Sequence, residues 1–171
     1  MKYLFTLIVF FSISTISFAQ ENDDSSSRNG DFLIELGNGI FGNFASSGSG
    51  ASVIFGDGIT VSSIGLNAGK FISDNFALKT NIGLLNISTD FGGNNTFLIT
   101  GGGKYYFGGR VPLEVSAGVV TGQDLTTFIS NATLGYGIPL AHNINLEPGV
   151  SLFLADSNVD VGLQLTFAIF L

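Results

Sequence analysis

The stretch that decides the fold is Val159-Asp160-Val161-Gly162-Leu163-Gln164-Leu165-Thr166-Phe167-Ala168-Ile169-Phe170-Leu171. Every odd position is apolar: Val159, Val161, Leu163, Leu165, Phe167, Ile169 and Leu171. The even positions are Asp160, Gly162, Gln164, Thr166, Ala168 and Phe170. A strict period of two is the signature of a strand with one oily face and one mixed face. Soluble strands average only about 5–6 residues, and this one is more than twice that length.

Seven further segments upstream carry the same alternation, at about 31–42, 59–72, 75–88, 96–107, 111–120, 126–138 and 144–154. Ser73-Asp74-Asn75, Gly108-Gly109-Arg110, 139–143 and Asp156-Ser157-Asn158 read as turns between them. A Gly/Ser-rich loop runs to Asp57, and 90–95 is a second loop. Eight strands of this length match membrane-spanning strands of about 9–11 residues plus their ends. An open sheet would leave edges unpaired, and in lipid closure is obligatory. The expected fold is therefore all-β, an eight-stranded antiparallel up-and-down transmembrane β-barrel.

The distribution of charge agrees. One face of the strands carries Leu, Ile, Val, Phe and Ala. The other carries Glu35, Lys79, Lys104, Glu114, Glu147 and Asp160, with Asn67, Asn81, Asn131, Asn145, Gln164 and many glycines. A soluble barrel would place its charges outside and its oil inside. Lys70 alone falls on the apolar face, near a strand end where its ammonium can snorkel to the interface. The aromatics sort into two girdles. Phe71, Phe76, Tyr105, Phe107, Tyr136, Phe167 and Phe170 lie at the end with the C-terminus, and Phe41, Phe44, Phe91, Phe97 and Phe128 at the other.

The N-terminus reads as an export signal over 1–19. Lys2 is followed by an apolar run from Tyr3 to Ile16, and Ser17-Phe18-Ala19 has the small-x-small pattern of a cleavage site. No Cys follows, which removes the lipoprotein reading. Residues 20–30 are polar and aperiodic, a disordered lead-in on the periplasmic side. The barrel domain is 31–171. Zero cysteines exclude disulfide stapling. The net charge is −7, with only 6 Lys and Arg, so the chain has no electrostatic footprint for nucleic acid.

The run Gly69-Lys70-Phe71-Ile72-Ser73-Asp74-Asn75-Phe76-Ala77-Leu78 resembles a hairpin of small outer-membrane β-barrel proteins of Bacteroidetes-type bacteria. Gly102-Gly103-Lys104-Tyr105-Tyr106-Phe107 is similar to a strand end of the same family. The resemblance spans roughly 31–171 and implies an eight-stranded barrel of the OmpA/OmpX-like shape. It transfers no catalytic residues. This chain has Lys70 and Lys104 where the family commonly has an aromatic residue and Arg, and it ends on Leu171 and not on a terminal Phe.

The candidate sites follow from the mixed face. Glu35, Glu114, Glu147 and Asp160 facing Lys79 and Lys104 would form a polar network that closes the lumen, because eight strands leave an interior just wide enough for side chains. A narrow porin-like channel for cations or small solutes is the alternative. Asp57, Asp90, Asp124 and Asp156 fall one in each loop opposite the termini. They read as ordinary turn residues, with an acidic rim that bridges divalent ions or lipopolysaccharide as the sharper reading.

Other motifs carry no chemistry. Gly37-x-Gly39-x-x-Gly42 lacks the helix that dinucleotide binding requires. Gly101-Gly102-Gly103 lacks the Lys-Ser/Thr ending of a phosphate loop. His142 is the single histidine and builds no zinc site alone. A lipid-modifying membrane enzyme is the remote alternative. The expectation is a non-enzymatic, monomeric protein of the Gram-negative outer membrane, without cofactor or metal. Its partners would be membrane lipid, lipopolysaccharide and, during biogenesis, the barrel-assembly machinery.

Overall fold

The computed structural model describes residues 28–41, 49–56, 59–89, 92–122, 126–155 and 158–171. Its strands are β1 (Phe32–Phe41), β2 (Gly50–Gly56), β3 (Ile59–Ser73), β4 (Phe76–Thr89), β5 (Gly92–Phe107), β6 (Val111–Thr121), β7 (Thr126–Gly135), β8 (Ile138–Ala141), β9 (Ile144–Ala155) and β10 (Asn158–Phe170). They form one antiparallel sheet in the order β1-β10-β9-β7-β6-β5-β4-β3-β2, and the β1–β3 pairing closes it on itself.

Ten named strands make eight positions around the wall. β1 and β2 share one side of β3, with Phe32–Glu35 opposite Lys70–Asn67 and Gly50–Gly56 opposite Gly65–Ile59. β7 and β8 likewise share one side of β9. The result is a closed eight-stranded barrel, as the alternation predicts. β1, β3–β7, β9 and β10 are paired on both sides, while β2 pairs with β3 and β8 with β9, so the closed ladder satisfies most of the wall's backbone internally.

Three boundaries differ from the sequence reading. The Gly/Ser-rich loop expected to run to Asp57 contains β2, because Gly50–Gly56 extends the ladder along β3. The loop expected over 90–95 is strand from Gly92 onward, held by pairing to β4. The turn expected over 139–143 contains β8, and the sixth strand breaks at Tyr136 and Gly137. Glycine and proline punctuate these segments and weaken their alternation. Cross-strand pairing, which a local pattern does not encode, restores them to the sheet.

Three glycines, at two places in the wall, are required by geometry. Gly108 and Gly109 have φ of 55° and 72°, and Arg110 N donates to Phe107 O at 3.2 Å. This is a two-residue turn with positive φ at both centres, whose twist matches the strands it joins. Gly37 has φ of 149°, and a Cβ there would stand 2.2 Å from Leu165 O. Gly37 marks the place where β1 leaves the side of β3 and continues along β10 only.

Side-chain parity holds through the wall. Ile64, Leu66, Leu78, Leu84, Val115, Phe128, Leu134, Leu152, Val161 and Phe167 all face outward, with Val161 67 % exposed. The belt is far more apolar than a water-facing barrel surface tolerates. The opposite parity is buried and supplies the lumen.

Candidate functional site: the charged ring and its seals

Five ionisable side chains from five strands meet inside the barrel. Glu35 lies on β1, Lys79 on β4, Lys104 on β5, Glu114 on β6 and Glu147 on β9. Each occupies the inward parity of its strand, so the alternation alone aims them at one another. Lys79 bonds Glu35 Oε2 and, at 2.5 Å, Glu114 Oε2. Lys104 bonds Glu35 Oε1 and Glu147 Oε2. Tyr106 Oη donates to Glu147 Oε1 at 3.0 Å.

The ring therefore runs Glu114–Lys79–Glu35–Lys104–Glu147–Tyr106, with Glu35 bridging the two ammoniums. These links cross the lumen. Glu35 and Lys104 are on strands that do not pair, as are Lys104 and Glu147. Lys104 and Glu114 are register neighbours, yet the short bond to Glu114 comes from Lys79. The side chains of Glu35, Lys79, Lys104 and Glu147 are 2–4 % exposed, and that of Glu114 is 18 % exposed. Charges this dry are tolerated only when each meets an opposite charge and its remaining lone pairs find donors.

Asp160, grouped with this network by parity, stands elsewhere. It is opposite Phe153, while Glu147 is opposite Thr166 six residues further along β10. At strand rise that is roughly 20 Å along the chain. Parity assigns a face and leaves the height along the barrel open. Asp57, Asp90, Asp124 and Asp156 lie outside the described residues.

The ring is sealed toward the mouth that holds Leu171. Phe71, Tyr106 and Phe170 point inward there, with Leu33, Ala77 and Ala168 packed around them. Their ring centroids are 5.8, 6.0 and 6.1 Å apart, the spacing of tilted aromatic pairs. Phe71 and Phe170 are thus a plug and not part of the outer girdle expected from their depth. Tyr105, Phe107 and Phe167 do face outward at that end, as do Phe97 and Phe128 at the other. Phe41's side chain, Phe44 and Phe91 lie outside the description.

Arg28 covers this plug. Its guanidinium carbon is 4.3 Å from the Phe170 centroid, 4.9 Å from Tyr106 and 5.8 Å from Phe71. Gly30 N donates to Phe71 O at 3.0 Å, and Phe71 N donates to Asp31 O at 2.9 Å. Arg28–Gly30 therefore packs on the barrel, although its polar composition groups it with the lead-in. A lone Arg in a polar run has no periodicity to betray it.

On the other side of the ring lies a neutral polar layer. Thr133 Oγ1 is 3.0 Å from Ser151 Oγ, which donates to Gln164 Oε1 at 2.8 Å. Ser49 Oγ donates to Asn67 O at 3.1 Å. Leu98 and Ile129 are buried on the inward parity nearer the loop end. The charges thus sit between an aromatic seal and a layer of hydroxyls and amides backed by aliphatic side chains. His142 is exposed in the β8–β9 turn at the plugged end. Among the described residues no group of His, Cys, Asp and Glu is arranged to hold a metal.

No protein-family model and no curated protein matches this chain by sequence. Solved structures do match it by shape. The outer membrane protein Ail of Yersinia pestis, solved in a phospholipid bilayer nanodisc, is 10 % identical with a TM-score of 0.54, over 84 % of this chain and 100 % of that one. A structure from the de novo design of transmembrane β-barrels is 14 % identical with a TM-score of 0.48, over 84 % of this chain and 97 % of that one. At these identities the likeness to Ail is one of fold, and the fold is that of a closed transmembrane β-barrel.

Proposed function

We propose that this chain is an outer-membrane β-barrel with a structural or surface-interaction role, both termini periplasmic, and a lumen closed by the charged ring. The observation that carries the reading is the ring itself. An ion entering the lumen meets four ion pairs that tie non-adjacent walls together, then three aromatic rings capped by Arg28. Dehydrated pairs of this kind are strongly destabilised when one partner is withdrawn. A pathway that required their continual opening would be a poor conductor.

The outward apolar belt and the fold shared with Ail support the outer membrane as its place. Among the described residues no constellation of nucleophile, base and acid supports an enzyme. His142 is the single histidine and is exposed in a turn. The second reading is a narrow cation pore, and one count favours it. Three ring carboxylates face two ring ammoniums, which would select cations if the lumen were wet.

The separating experiment is planar-bilayer recording on purified protein. The closed-lumen reading expects no steady conductance. Sustained cation-selective steps that change in Glu114→Gln would replace it with the channel.

A further inference from the structure

We infer that Phe71, Tyr106 and Phe170 form an aromatic cage for a guanidinium-type organic cation, with Arg28 as its built-in occupant. Three observations carry this. The guanidinium lies within 6 Å of all three ring centroids, the distance at which the negative face of a ring attracts a cation. The rings are buried, with Phe71 and Tyr106 at 1 % and 0 % exposure, so the attraction acts away from screening water. Arg28 Nη1 is buried with no hydrogen-bond partner among the described residues. A compact, strongly hydrated ammonium would be held badly there. A planar, weakly hydrated guanidinium loses less by leaving water and stacks on the rings.

The cage is coupled to the charged ring through Tyr106. Lys104 Nζ stands 5.2 Å from the centroid of the same ring, and the Tyr106 hydroxyl bonds Glu147. The ring's three carboxylates exceed its two ammoniums, so a cation seated on Tyr106 also offsets the residual negative charge. The Arg28 backbone is held separately, with Asp31 N donating to Arg28 O at 2.9 Å and Gly30 N pinned to Phe71 O. Removing only the side chain leaves a vacant cage under a fixed backbone, which an external guanidinium can fill. The site rests on the barrel fold and holds whether or not the lumen conducts.

The test is chemical rescue of Arg28→Ala in detergent or nanodiscs. The variant should melt roughly 2–6 °C below the wild type. Guanidinium chloride at sub-denaturing concentration should recover at least half of that loss in the variant and none in the wild type. Urea, the neutral planar isostere, and sodium chloride should not. Unchanged melting of the variant, or equal recovery by urea or sodium chloride, overturns the cage. If the variant does not fold, the wild type decides. The chain holds two arginines, Arg28 and Arg110. With ¹³C-labelled arginine, one Hδ resonance should be displaced upfield by ring currents and should relax toward the other in Phe170→Leu. Two unshifted resonances overturn it.

Discussion

Replacing Lys104 by Met removes a charge while keeping much of the volume, so its cost reports on the ion pairs. Lys104 is 4 % exposed and serves both Glu35 and Glu147. In the variant Glu35 keeps Lys79, and among the described residues Glu147 keeps the Tyr106 hydroxyl at 3.0 Å. A neutral hydroxyl offsets part of the desolvation of a carboxylate that is 3 % exposed and leaves most of it uncompensated. Breaking a buried pair from one side costs about 3–5 kcal/mol, and the surviving hydroxyl places this case toward the lower part of that range. Lys79→Met is the internal comparison. It strands Glu114, whose side chain is 18 % exposed and can recruit water, while Glu35 retains Lys104. Its cost should be about 1–3 kcal/mol, below that of Lys104→Met. The double variant Lys104→Met/Glu147→Gln should recover at least about 1 kcal/mol, because the stranded charge is gone. Equilibrium unfolding in urea of protein reconstituted in lipid vesicles measures all four species. A Lys104→Met cost below that of Lys79→Met, or no recovery in the double variant, would refute the assignment of Lys104 as the central cation.

Further outcomes follow from the wall and the mouth. Leu165→Arg, on the lipid-facing parity near mid-strand, should cost roughly 2–4 kcal/mol, and Gln164→Arg should cost less; equal tolerance at the two positions on the same vesicle assay sinks the register. Gly37→Ala should destabilise by more than about 1 kcal/mol, since its Cβ would meet Leu165 O at 2.2 Å and its φ of 149° suits glycine; hydrogen exchange should rise first in the β1–β10 ladder, and unchanged exchange there argues against the close approach. The folded barrel should migrate differently on gels before and after boiling, because a ladder without free edges resists detergent until heated; identical mobility in both lanes contradicts closure.

Local alternation is enough to set the class of fold and the face of the residues in its most regular strands. From Val159 to Leu171 the period of two leaves one assignment of parity, and the structure follows it: Val161 and Phe167 face out, and Ala168 and Phe170 face in. The same local rule put Glu35, Lys79, Lys104, Glu114 and Glu147 inside, because a charge on the lipid side has nothing to pair with. Height along the barrel and partners across it were decided only by the tertiary structure. They depend on the stagger between strands, which sets Glu35 beside Lys104 although 69 residues separate them. The same stagger leaves Asp160 far along β10 from Glu147. Depth also misled the reading of Phe71 and Phe170, which share the outer girdle's level and point the other way, into the cage. Arg28 was illegible for a related reason: the three rings its guanidinium covers come from three different strands, and they become neighbours only when the sheet closes.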